Sequence, residues 1–172
     1  MVALSSQKRR NGFTLVELLV VIVIIGILSS LLLPAITHAI FRAKVATCQH
    51  NQQELYKLGL VYSSSHKAQW PPGKGGDLWV SLRRMVPPLI EPDHASILTC
   101  AVLGEECGPD ETHFRGPEVP LSKLGAADPL GADKVGNHGE QYGGNVLLKD
   151  GSVSEYELLH PKWVECDTKL VP

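Results

Sequence analysis

The chain has no surplus of positive charge: across 172 residues, 16 Lys and Arg face 18 Asp and Glu, a formal net charge of −2. Neutralising phosphates needs excess cations, so a simple polybasic nucleic-acid binder is excluded and no nucleic-acid partner is expected. Aromatic residues are scarce, yet the hydrophobic share is 44% and the net charge is low. That balance excludes a wholly disordered chain. No Ser/His/Asp or Cys/His constellation has a recognisable spacing, no phosphate loop is present, and the seven His form no His-Glu-x-x-His pattern. Nothing here points to an enzyme, and no catalytic residue is assigned. The length suits one domain of about 100–150 residues plus a segment or two.

The apolar residues are unevenly placed. From Phe13 to Leu33 only Thr14, Glu17, Ser29 and Ser30 are polar. As a helix, 21 residues reach about 31 Å, enough for a bilayer core of about 30 Å. Lys8, Arg9 and Arg10 precede the run and residues 1–12 hold no acid, whereas residues 34–172 hold 13 cations and 17 anions. Positive flanks stay in the cytoplasm, so the N-terminus is expected inside and the remainder outside. Glu17 does not suit a plain anchor, because a carboxylate within the apolar run costs a few kcal/mol unless neutralised, paired or near the interface. It reads either as a tolerated charge near the headgroups or as an acid that awaits a cationic partner. A cleavable secretory signal fits poorly: the core is too long, it contains Glu17, and Thr37-His38-Ala39 makes a poor cleavage site.

The run Arg9-Arg10-Asn11-Gly12-Phe13-Thr14-Leu15-Val16-Glu17 resembles the class III signal of type IV pilins and type II secretion pseudopilins. The resemblance implies that a prepilin peptidase cuts between Gly12 and Phe13 and methylates the new N-terminal Phe13. It implies that Glu17 pairs with the amine of a neighbouring subunit during filament assembly. The implied product is a subunit of a secretion pseudopilus or a pilus-like fibre, with copies of itself or related pilins, an inner-membrane assembly platform and membrane lipid as partners. The implied location is the bacterial inner membrane, single-pass, with the C-terminal head periplasmic or extracellular. The alternative is a monomeric, membrane-anchored surface binding module that shares the signal.

The implied fold is α+β: a long N-terminal helix packed on a small antiparallel sheet. The expected segments are a leader (1–12), a transmembrane helix (13–33), a stem helix (34–66) and a head (67–172). Pro34 either ends the membrane helix or kinks it; a kink is expected, because a helical pattern resumes at once. Ile36, Ala39, Ile40, Ala43 and Ala46, then Leu55, Leu58 and Tyr62, form the stem's apolar stripe, with Gln49, Gln52 and Gln53 on its polar face. Asp77 is expected to cap a short helix over 78–85. Lys149-Asp150-Gly151-Ser152 between β-prone runs predicts a hairpin with a type I′ turn.

The C-terminal half is also similar to a prepilin-like subclass marked by a His-x9-Asp-Gly signature. Here His138-Gly139 and Gly143-Gly144-Asn145-Val146-Leu147 lead to Asp150-Gly151, with eleven residues between His138 and Asp150. A two-residue insertion accounts for the difference and leaves His138 without an assigned role. Some major pseudopilins hold calcium in a C-terminal loop, so Asp128, Asp133 and Asp150 are candidate calcium ligands; the alternative is that they cap turns. Four cysteines allow three pairings. Cys100 and Cys107 are the candidate disulfide, closing a small loop; free thiols and a metal site are the rivals, the last lacking the tight Cys pairs of structural zinc sites.

Overall fold

A computed structural model describes residues 13–139 and 141–172; Gly12 and the basic leader lie outside the described residues. Two units emerge, one that ends at Ile40 and one that spans Phe41–Pro172. One helix, α1 (Leu15–Ser65), contributes to both.

In the first unit every residue from 13 to 40 is exposed, large apolar side chains included. The hydroxyls turn back onto their own helix: Ser30 Oγ donates to the Ile27 carbonyl at 2.8 Å and Thr37 Oγ1 to that of Pro34 at 2.9 Å. A helix that satisfies its polar groups internally is what a hydrocarbon environment requires. Pro34 lies inside α1 and does not end it.

The second unit begins with the remainder of α1. Its buried positions are Val45, Cys48, Gln52, Leu55 and Gly59, alternating steps of three and four along one face. This face differs from the expected stripe: Ile36 and Ile40 are exposed, and Gln52, read as solvent-facing, is 1% exposed. Gln52 is buried because its amide meets acceptors there, Asp133 Oδ1 at 3.0 Å and the Asn145 carbonyl at 3.4 Å.

Five antiparallel strands follow: β1 (Phe114–Pro117), β2 (Pro129–Asp133), β3 (Gly144–Leu148), β4 (Val153–Tyr156) and β5 (Leu170–Val171), in the order β4-β3-β2-β1-β5. Alternate side chains serve opposite faces. Leu130, Leu147, Phe114 and Val153 join Cys48 and Leu55 of α1 in the larger core, which also holds Leu78, Trp79 and Leu82 of α2 (Asp77–Arg84). Ala132, Val146, Leu148 and Tyr156 face the other way, onto Trp163 and Cys166 of α3 (Pro161–Lys169). The expected long helix on a small antiparallel sheet is thus the architecture adopted, and the sheet has five strands.

Three local details depart from expectation. Asp77 is the first residue of α2, after Gly76 as cap, and pairs with Arg84 at 2.9 Å. In the hairpin only Gly151 has positive φ (+89°), so the turn is not type I′. Asp150 spends its carboxylate on the turn instead, accepting from Ser152 N–H at 2.9 Å and Ser152 Oγ at 2.6 Å. Helix α3 is missed from sequence, although Pro161 in its first turn and Trp163, Cys166 and Leu170 at three- and four-residue steps mark it.

Gly116 illustrates the tightness of the sheet. It pairs with Val171 of β5 while the Gly75 backbone lies against its Cα, where a Cβ would clash with the Gly75 carbonyl. Backbone on both sides cannot yield as a flexible side chain would. Gly116→Ala is expected to cost about 2–3 kcal/mol by overpacking, measured as a lower denaturation midpoint; a change under about 0.5 kcal/mol, the range of ordinary surface substitutions, contradicts the account.

Candidate functional site: the N-terminus of the long helix

Helix α1 begins with a closed pair of side chains. Thr14 precedes the first helical residue, and Glu17 is three residues on. Glu17 Oε2 accepts from the Thr14 backbone N–H at 2.8 Å and from Thr14 Oγ1 at 2.7 Å, while the Glu17 N–H donates to Thr14 Oγ1 at 3.2 Å. This is a capping box, which satisfies orphan donors of a helix start reciprocally. The carboxylate also sits at the positive end of the helix dipole. The box holds Glu17 within one turn of Phe13, whose side chain is 75% exposed. An acid is therefore fixed beside the position where cleavage after residue 12 would create an amine.

Residues 7–33 match the prokaryotic N-terminal methylation motif.

The chain carries that motif.

Neither a curated protein nor a solved structure matches the chain. The motif spans Gly12, Phe13 and Glu17 and most of the apolar stretch of α1. The chain thus joins a prepilin-type methylation motif to a pilin-like α+β fold over the described residues. The long apolar helix has the length and composition to cross a membrane.

The other sequence-predicted residues are dispersed. The Asp128 carboxylate is held by Lys169 Nζ at 2.8 Å and the Gly125 N–H at 2.7 Å; these two partners lower its pKa, in that order. Asp150 is engaged in its turn and its pKa is lowered by Ser152. Asp133 is elsewhere, fully buried at the end of β2. The segments of Asp128 and Asp150 are neighbours, joined by the Lys149 N–H to the Asp128 carbonyl at 3.0 Å, but Asp133 is at the other end of β2, and among the described residues the three acids form no group of ligand atoms. Cys100 is likewise not placed with Cys107: its sulfur lies 2.8 Å from that of Cys48 on α1, and Cys107 Sγ donates to the Leu98 carbonyl at 3.4 Å. The register of α1 brings Cys48 across from the chain segment after the 3-10 turn Pro92–Leu98, which the spacing of cysteines alone does not reveal.

Asp133 and His138 join this pair. His138 Nε2 is 3.1 Å from Asp133 Oδ2, and both side chains are buried. Asp133 also accepts from the Asn145 N–H at 2.8 Å and from Gln52 at 3.0 Å. Burial pushes Asp133 up to about 6 against the opposing influence of His138 and Asn145. Burial opposes charge on His138 too, but its contacts with Cys48 and Asp133 outweigh this and raise its pKa. The two thiols share one hydrogen bond in which either sulfur can donate, and that bond favours thiolate on Cys48 while it and burial raise the pKa of Cys100. His138, left without a role by its spacing to Asp150, is a core residue of this cluster.

Proposed function

We propose that the chain is a pilin-type filament subunit, processed by prepilin peptidase between Gly12 and Phe13 and methylated on the new Phe13 amine. The observation that carries this reading is the methylation motif over residues 7–33 leading into a helix whose every residue from 13 to 40 is exposed. So much aliphatic surface needs lipid before assembly and other helices after it. The methylated amine remains a cation. In low dielectric it attracts the Glu17 carboxylate of an adjacent subunit, and a buried charge left without its partner is strongly unfavourable. That asymmetry selects one register. Pro34, which withholds one helix hydrogen bond, supplies a bend or a local loosening as the helices pack. The basic leader directs the N-terminus to the cytoplasm and residues 34–172 to the outer side. The assembly is a type II secretion pseudopilus or a type IV pilus-like fibre; both place apolar helices inside and heads outside.

Intact-mass analysis of the protein from cells with active prepilin peptidase tests the reading. The expected mass is that of residues 13–172 plus one methyl group. A protein that keeps residues 1–12 in those cells overturns it. Cysteine crosslinking between neighbouring helices then separates a filament subunit from a monomeric anchored module, which would give no crosslink at any expression level.

A further inference from the structure

We propose that Cys48, Cys100, Asp133 and His138 form a structural binding site for one zinc-class divalent cation. The proposal is independent of the filament reading. One ligand atom from each of the four side chains lies within 4.8 Å of the other three, and all four residues are buried, with exposures of 0%, 0%, 0% and 4%. They come from four separate places in the fold: the stem half of α1, the segment after the 3-10 turn, the end of β2, and the loop before β3. Nothing in the local backbone requires two thiols, an imidazole and a carboxylate to meet in one dry interior.

Two sulfurs, one nitrogen and one oxygen are a tetrahedral donor set suited to zinc, which is held by thiolate, imidazole and carboxylate at about 2.0–2.3 Å. His138 Nε2 is the second observation. It is buried and completes no hydrogen bond among the described residues, although it lies 3.1 Å from Asp133 Oδ2. A metal gives this nitrogen a partner. The surrounding donors match what an outer shell does for bound ligands: the Ala101 N–H points at Cys48 Sγ at 3.1 Å, and Asn145 and Gln52 hold the two oxygens of Asp133. Two thiolates and a carboxylate around a dication leave one net negative charge, which these donors spread.

Loading requires one adjustment. Zinc–sulfur bonds of about 2.3 Å in a tetrahedron put the sulfurs about 3.8 Å apart, so the Cys48–Cys100 contact of 2.8 Å opens on binding. Oxidation of the same two thiols to a disulfide is the competing outcome. It would account for two of the four residues and leave the His138 nitrogen unpartnered beside the buried Asp133.

The test uses the full chain, purified in detergent without a polyhistidine tag. Zinc measured by inductively coupled plasma mass spectrometry is expected near one per chain. Cobalt substitution is expected to give thiolate-to-cobalt absorption in the near ultraviolet and tetrahedral bands in the visible. Cys48→Ser and His138→Asn are expected to reduce bound zinc at least tenfold, whereas Cys107→Ser, outside the cluster, retains it. The wild-type cobalt spectrum needs no variant and so stands if a variant fails to fold. A folded wild-type chain, judged by circular dichroism, that takes up neither metal overturns the proposal. So does a peptide map with Cys48 and Cys100 joined as a disulfide, or full zinc content in the Cys48→Ser variant.

Discussion

Glu17→Leu is expected to yield a protein that is cut after Gly12 but does not polymerise. The substitution replaces a carboxylate with an apolar side chain in an apolar stretch, so insertion becomes easier. It also breaks the capping box with Thr14, a loss of about 1 kcal/mol that a 51-residue helix absorbs. What vanishes is the charge that would meet the amine of the next subunit. Glu17→Gln separates the two effects, since glutamine can still serve a capping box but carries no charge. Both variants are expected to show the processed mass, with filament protein in the sheared fraction reduced at least tenfold. Normal filaments from Glu17→Gln would remove the charge from the mechanism; unprocessed protein would move the residue's role to peptidase recognition.

Trp79→Ala is expected to be the most damaging single change in the head. Trp79 is 1% exposed in α2, its ring lies against Gly131 of β2, and its Nε1–H donates to the buried Arg115 carbonyl at 3.0 Å. Truncation opens a cavity where α2 meets the sheet, at about 3–5 kcal/mol for an aromatic reduced to alanine. It also leaves the Arg115 carbonyl without its donor, a further penalty of about 1–3 kcal/mol. Against a usual domain stability of about 5–15 kcal/mol, the head would be marginal at best. Trp79→Phe keeps most of the volume and isolates the hydrogen bond, so it should cost about 1–2 kcal/mol. Denaturant titrations of the detergent-solubilised chain followed by circular dichroism report both; a loss under about 1 kcal/mol for the alanine variant would mean that α2 is peripheral to the core.

The sequence made some features legible because they are local. The apolar run of 13–33 and the signal at Gly12-Phe13 are contiguous, and the Asp150-Gly151 pair sits between two β-prone runs. Even there the turn class is not local information, because Asp150 uses its carboxylate on Ser152 instead of adopting positive φ. The stem's buried face was displaced for a related reason. Hydropathy placed Gln52 outside, but Asp133 and Asn145 provide acceptors that only the folded sheet brings near α1. The same limit hid the four-residue cluster. Asp133 and His138 are near neighbours in sequence, but Cys48 and Cys100 are far from them and from each other, and only sheet pairing of Phe114 with Asp133 and packing on the stem unite the four. Spacing rules recognise ligands that arrive in tight pairs; they do not see ligands assembled by tertiary contact.

The box formed by Thr14 and Glu17 has a consequence for the idle subunit. A lone membrane-dwelling copy already has donors for its acid, so waiting in the bilayer does not require a second chain. In the proposed filament, assembly would exchange these two neutral donors for a cation, and the gain would be the difference between them.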